Sequence, residues 1–177
     1  MTTRNYHPRS STMRPHQPAP HPGRMIPTSS TISRLVVRVA GLVPVRTDIS
    51  HAGTMEQQLG LSLGTVLVYL RTGLTARVVA EGWASAAPLA QRLAPAIPGR
   101  RVLPAGPSTA SALIRMAGAP GVTMSFQPQR PDAGLGPALQ LEVGPITWGI
   151  CDATAYASLL RGWRRAARLL NDNPGDD

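Results

Sequence analysis

The chain has 177 residues, about one domain's worth, and its 18 basic residues are all arginine; against 9 acidic ones they give a formal charge of +9, which favours anionic partners. One cysteine, Cys151, excludes an internal disulfide and a Cys-rich zinc site, and the absence of lysine excludes a P-loop. The longest apolar runs, around 35–45 and 65–70, are too short or interrupted to span a bilayer, and the start is polar and Pro-rich rather than a signal peptide, so no membrane association and a cytoplasmic location are expected.

Residues 1–31 carry six prolines, three histidines, Arg4, Arg9, Arg14 and Arg24, and no acid. Such a segment buries too little apolar surface to offset its ordering entropy, so a disordered Pro/Arg-rich tail is expected. It serves as a basic arm along phosphate or, more simply, as a dispensable extension before Met13 or Met25. Residues 34–45 are β-branched and read as one strand bending at Gly41. Thr54-Met55-Glu56-Gln57 fits a capping box and predicts a short helix ending at Gly60. Residues 64–70 read as a buried strand, and Thr72 as the N-cap of a long helix over 73–93, kinked at Pro88. After a Pro/Gly loop over 95–106, Ser108 or Thr109 caps a further helix that stops at Gly118 and Pro120. Strands follow at 122–126, 139–143 and 146–151, the last two meeting at Gly144-Pro145 as a hairpin. Asp152 then caps a final helix over 153–170, with an acidic, disordered C-terminus at 171–177.

Two stretches match at a constant spacing of 80 residues. Gly64 answers to Gly144, Gly82 to Gly162, Trp83 to Trp163, and Ala86 and Ala87 to Ala166 and Ala167. Two of only three tryptophans fall at equivalent places, which argues for a duplicated strand–helix unit over about 64–93 and 144–173. A glycine inside a helix costs about 1 kcal/mol against alanine. Accepting that cost twice beside a tryptophan implies close packing, either of the two helices on each other or of each helix on the sheet. The expected architecture is α+β: one domain over 32–170, a two-layer antiparallel sheet with the helices packed on one face.

Chemistry-bearing motifs are few. Gly134-Leu135-Gly136 lies in a Pro-rich loop without the strand–turn–helix context of a dinucleotide site. His51, Cys151 and Asp152 would form a Cys–His–Asp set only if the fold assembled them; the simpler reading is a loop histidine, a core cysteine and a helix cap. His7, His16 and His21 do not have the spacing of a tetrahedral metal site. No catalytic residue, metal or cofactor is therefore expected. Two places favour an anion. Arg100 and Arg101 precede Ser108 and Thr109 at a predicted helix start, where free N–H groups would hold phosphate. In the last helix Arg161, Arg164, Arg165 and Arg168 fall opposite an apolar face of Tyr156, Leu159, Leu160, Trp163, Ala167 and Leu170, with no carboxylate among them.

In its arginine-only basicity, its Pro-rich start and the ending ITWGICDATAYASLLRGWRRAARLL, the chain resembles small uncharacterised proteins of actinobacteria. The resemblance implies no activity and assigns no functional residue. The expectation is a non-enzymatic basic binding or accessory protein whose partner is DNA, RNA or an acidic protein. A homodimer formed through an open sheet face is also compatible with the pattern. The alternative is a protein-interaction or small-ligand module whose basicity is only compositional.

Overall fold

A computed structural model describes residues 34–96, 111–129 and 136–171, all within the unit Ile32–Asp177. The elements are β1 (Leu35–Val39), β2 (Val45–Ser50), β3 (Gln58–Leu63), β4 (Val66–Leu70), α1 (Gly73–Ser85), α2 (Ala87–Ala90), β5 (Ala112–Met116), β6 (Val122–Gln127), β7 (Ala138–Val143), β8 (Ile146–Ile150) and α3 (Ala153–Asn171). The fold class is α+β, as expected. In place of one antiparallel sheet there are two four-stranded sheets, ordered β2-β3-β4-β5 and β1-β8-β7-β6. Each contains one parallel pair, β4 with β5 and β1 with β8.

The pairing is reciprocal. Strand β1, from the first half of the chain, closes the sheet of the second half; β5, from the second half, closes the sheet of the first. Leu35 lies opposite Ile146, and Ala112 opposite Val66. These partners correspond at spacings of 77 and 80 residues, as do Arg38 and Arg115, and Gly41 and Gly118. The loop between β6 and β7 has ten residues against seven between β2 and β3, and these three residues are the whole difference between the two spacings. The spacing of 80 therefore does not extend to β1, β2, β5 and β6.

Four local expectations are corrected. Residues 34–45 form not one strand but β1 and the start of β2, which belong to different sheets. The helix predicted after Thr54 is a run of turns leading into β3. The capping contacts exist there, Thr54 Oγ1 accepting from Glu56 N at 3.2 Å and Gln57 Oε1 from Gly53 N at 2.8 Å, but they brace a turn. The helix expected up to Gly118 is β5: Leu, Ile and Met suit a helix, and parallel pairing along β4 overrides that preference. The long helix breaks at Ala86 into α1 and α2, with Pro88 in the first turn of α2, where its missing N–H costs little. Both tight hairpins place a glycine with positive φ first in a two-residue loop, Gly64 at 63° and Gly144 at 54°; an L side chain would be strained at either.

Alternation along the strands sends one face inward. Leu59, Leu61, Leu63, Val66, Val68 and Leu70 of one sheet, and Leu139, Leu141, Val143, Ile146, Trp148 and Ile150 of the other, are buried with α1 and α3. The two helices pack on each other, and each touches both sheets. The glycine beside each tryptophan serves the helix-on-sheet contact. A Cβ on Gly82 would lie 2.7 Å from Val122 of β6, and one on Gly162 2.9 Å from Val45 of β2. Val45 and Val122 stand 77 residues apart, so α1 leans on β6 and α3 leans on β2.

The three indoles are fully buried; Trp83 meets Trp148 edge-on at 6.1 Å and stacks with Tyr156 at 6.2 Å. None of the three Nε1 atoms has a hydrogen-bond partner among the described residues. An unmade bond costs about 1–3 kcal/mol. Burying about 150–250 Å² per aromatic ring at about 25 cal/mol/Å² exceeds that, so the apolar gain decides in favour of keeping the rings inside.

Candidate anion-binding face of the last helix

The last helix starts at a buried cap. Asp152 Oδ1 accepts from Ala155 N at 2.8 Å, and Oδ2 accepts from Gly41 N at 2.7 Å, which ties the helix start to the loop after β1. In the other half the cap is Thr72, accepting from Thr75 N, and the tie to the loop runs from Thr75 Oγ1 to Gly118 O at 2.6 Å. Tyr156, Leu159, Leu160, Trp163, Ala166 and Leu170 of α3 face the core. Tyr156 donates to Trp83 O at 2.6 Å, joining α3 to the end of α1. Burial raises the Tyr156 pKa, and the nearby Arg164 charge lowers it in part.

Arg161, Arg164, Arg165 and Arg168 are all exposed on the opposite face. Arg168, in the last turn, complements the negative end of the helix dipole. Four other described arginines are occupied: Arg34 by Thr147 and Glu142, Arg38 by Cys151 Sγ and Gly136 O, Arg71 by Met55 O, and Arg92 over the Phe126 ring at 4.0 Å; Arg46, Arg77 and Arg115 are exposed without such a partner, each on a different element. Arg34–Glu142 is the one ion pair among the described residues. The four guanidiniums of α3 have no hydrogen bond or ion pair among those residues. The positions 80 residues earlier are Glu81, Ala84 and Ser85 of α1 and Pro88 of α2, so none of these four arginines has an arginine counterpart there.

Beside this face lies a groove of about 270 Å³ between the loop after β1 and α3, lined by Leu42, Val43, Pro44, Val45, Ser158, Arg161, Gly162 and Arg165. Sequence reasoning did not find it. Leu42 stands out only once the halves are matched at 77, where its counterpart is Ala119. A second cavity, of about 220 Å³, sits on the outer face of the first sheet, where Gly60 leaves room between Asp48 and Tyr69.

Arg100, Arg101, Ser108 and Thr109 lie outside the described residues, as do His7, His16, His21 and Gly134. The Cys–His–Asp set is not assembled. His51 is exposed on a turn after β2, Cys151 is buried at the end of β8 in the other sheet, and both Asp152 oxygens serve backbone N–H groups. Among the described residues no three His, Cys, Asp or Glu side chains gather as metal ligands, and no helix is long and apolar enough to cross a membrane. No protein-family model, curated protein or solved structure matches the chain.

Proposed function

We propose that the chain is a non-enzymatic, basic accessory protein of the cytoplasm, built from a duplicated unit, which takes an anionic partner on the outward face of α3. The observation that carries this reading is the one-sidedness of the charge. Arg161, Arg164, Arg165 and Arg168 are exposed and form no ion pair among the described residues, while the matching positions of the first half hold Glu81 and no arginine. A compositional excess of arginine would load both helices alike. Four guanidiniums on two turns also repel one another by a few tenths of a kcal/mol per pair, a cost that an arriving anion reverses.

The test is elution from immobilised heparin. The wild type is compared with a chain in which Arg161, Arg164, Arg165 and Arg168 become Gln, and with a charge-matched control in which Arg46, Arg71, Arg77 and Arg115 become Gln. The reading expects the first variant to elute at much lower salt than the control. Equal elution of the two variants would mean that net charge alone governs binding.

A further inference from the structure

We propose that the anionic partner is an acidic protein segment carrying one large apolar side chain, which seats in the groove between the 42–45 loop and α3 while its carboxylates meet Arg161 and Arg165. The proposal rests on the α3 face being the anion site, and names what that site takes.

The groove joins two chemistries at one place. Its walls are Leu42, Val43, Pro44 and Val45; its floor is Gly162; its rim is Arg161 and Arg165, one helical turn apart. Leu42 is 68% exposed, so a large apolar side chain stands in water beside two guanidiniums that have no acid among the described residues. Carboxylates suit guanidinium forks, and the alkyl stems of the arginines extend the apolar wall. A phosphate backbone would satisfy the charges but leave Leu42 and the groove wet. No aromatic side chain lines the groove to stack on a base.

The other half of the chain is an internal control. At the same place it has Ala119 for Leu42, Gly121 for Pro44, Glu81 for Arg161 and Ser85 for Arg165. The exposed apolar side chain and the positive charges are thus added together, on one half only. The loop is also held more firmly there. Gly41 N donates to Asp152 Oδ2 at 2.7 Å, and Val43 N donates to Ser158 Oγ at 3.2 Å, which itself donates to Ala155 O at 2.9 Å. The counterpart of Ser158 is Val78, which cannot accept such a bond. With Val45 close against Gly162, the groove has a fixed width, and a preformed site loses little ordering entropy when it binds.

The experiment uses the full chain and three fluorescent probes at moderate salt: a Glu-rich peptide with a central Phe, the same peptide with Ser at that place, and a DNA duplex. Affinities are read by anisotropy for wild type, Leu42→Ser and the Arg161→Gln/Arg165→Gln pair. The Phe peptide should bind roughly tenfold tighter than the Ser peptide, as expected for burying one large apolar side chain. Leu42→Ser lies at an exposed position, so it should keep the wild-type melting temperature. It should abolish that preference without changing binding of the Ser peptide or the duplex. The double arginine variant should weaken all three probes. Equal binding of the two peptides, or indifference to Leu42→Ser, would overturn the groove while leaving the α3 face as a general polyanion surface. A duplex that binds tighter than either peptide, with no Leu42 dependence, would overturn it in favour of nucleic acid. Failure of every probe to bind, at moderate salt and again at low salt, would remove the α3-face reading, and this proposal with it.

Discussion

At the scale of single residues, the contact between helix and sheet is set by what is missing from Gly82. Alanine there would gain about 1 kcal/mol of helix propensity. Its Cβ would stand 2.7 Å from the Cβ of Val122, an atom fixed to the backbone of β6 and unable to swing away. Overpacking of this kind costs about 1–3 kcal/mol, so Gly82→Ala should be destabilising by denaturant titration; a more stable variant would show that α1 can lift off β6 freely. Trp83, fully buried against Trp148 and Tyr156, should cost about 3–5 kcal/mol on truncation to Ala, by the same measurement. Tyr156 adds a pH dependence. Burial raises its pKa above 10.0, with Arg164 opposing, so the folded chain holds the phenolic proton more tightly than the unfolded chain. That contribution is whole below pH 10 and is lost as pH rises through the folded-state value. Tyr156→Phe should lose about 1 kcal/mol at neutral pH, because Trp83 O keeps Ala86 N as a donor, and its stability should fall less steeply than that of wild type above pH 10. Parallel decline of the two chains would contradict a buried, proton-holding Tyr156.

At the scale of elements, legibility followed periodicity. The last helix was plain in the sequence because its apolar positions recur at helical spacing and Asp152 stands before them as a cap; both the buried face and the arginine face fall where that spacing puts them. Strand β5 was not legible. Ala112, Leu113, Ile114, Arg115 and Met116 are acceptable helix formers with little alternation, and only pairing along β4, set by tertiary structure, makes them a strand. The same five residues match β1 at a spacing of 77, with Arg115 answering to Arg38, and that comparison is the signal that would have found them. The groove beside α3 was invisible for a different reason. Leu42 and Gly162 are 120 residues apart in sequence, and the pairing of β1 with β8, the packing of Val45 on Gly162 and the ties from Gly41 to Asp152 and from Val43 to Ser158 bring them together.

At the scale of the whole molecule, each half supplies the strand that completes the other's sheet. A chain that starts at Gly41 lacks β1 and leaves β8, with Trp148 and Ile150, at an unprotected sheet edge. It should melt many degrees below the full chain, whereas a chain that starts at Met25 should melt with it; equal melting of all three would mean that β1 contributes nothing to the fold. On the proposed duplication the one-sided charge of α3 gains meaning, because the position matching Arg161 in α1 is Glu81. The most direct measurement of that claim is the salt dependence of duplex DNA binding by anisotropy, using DNA as a polyanion of known charge density. Each phosphate neutralised adds about 0.9 to the slope of log affinity against log salt. Replacing Arg161, Arg164, Arg165 and Arg168 by Gln should shrink that slope by up to about 4, and should weaken binding alike for unrelated duplexes. A quadruple variant that keeps the full slope, or a wild type that fails to bind at low salt, would contradict the assignment of the anion site to α3.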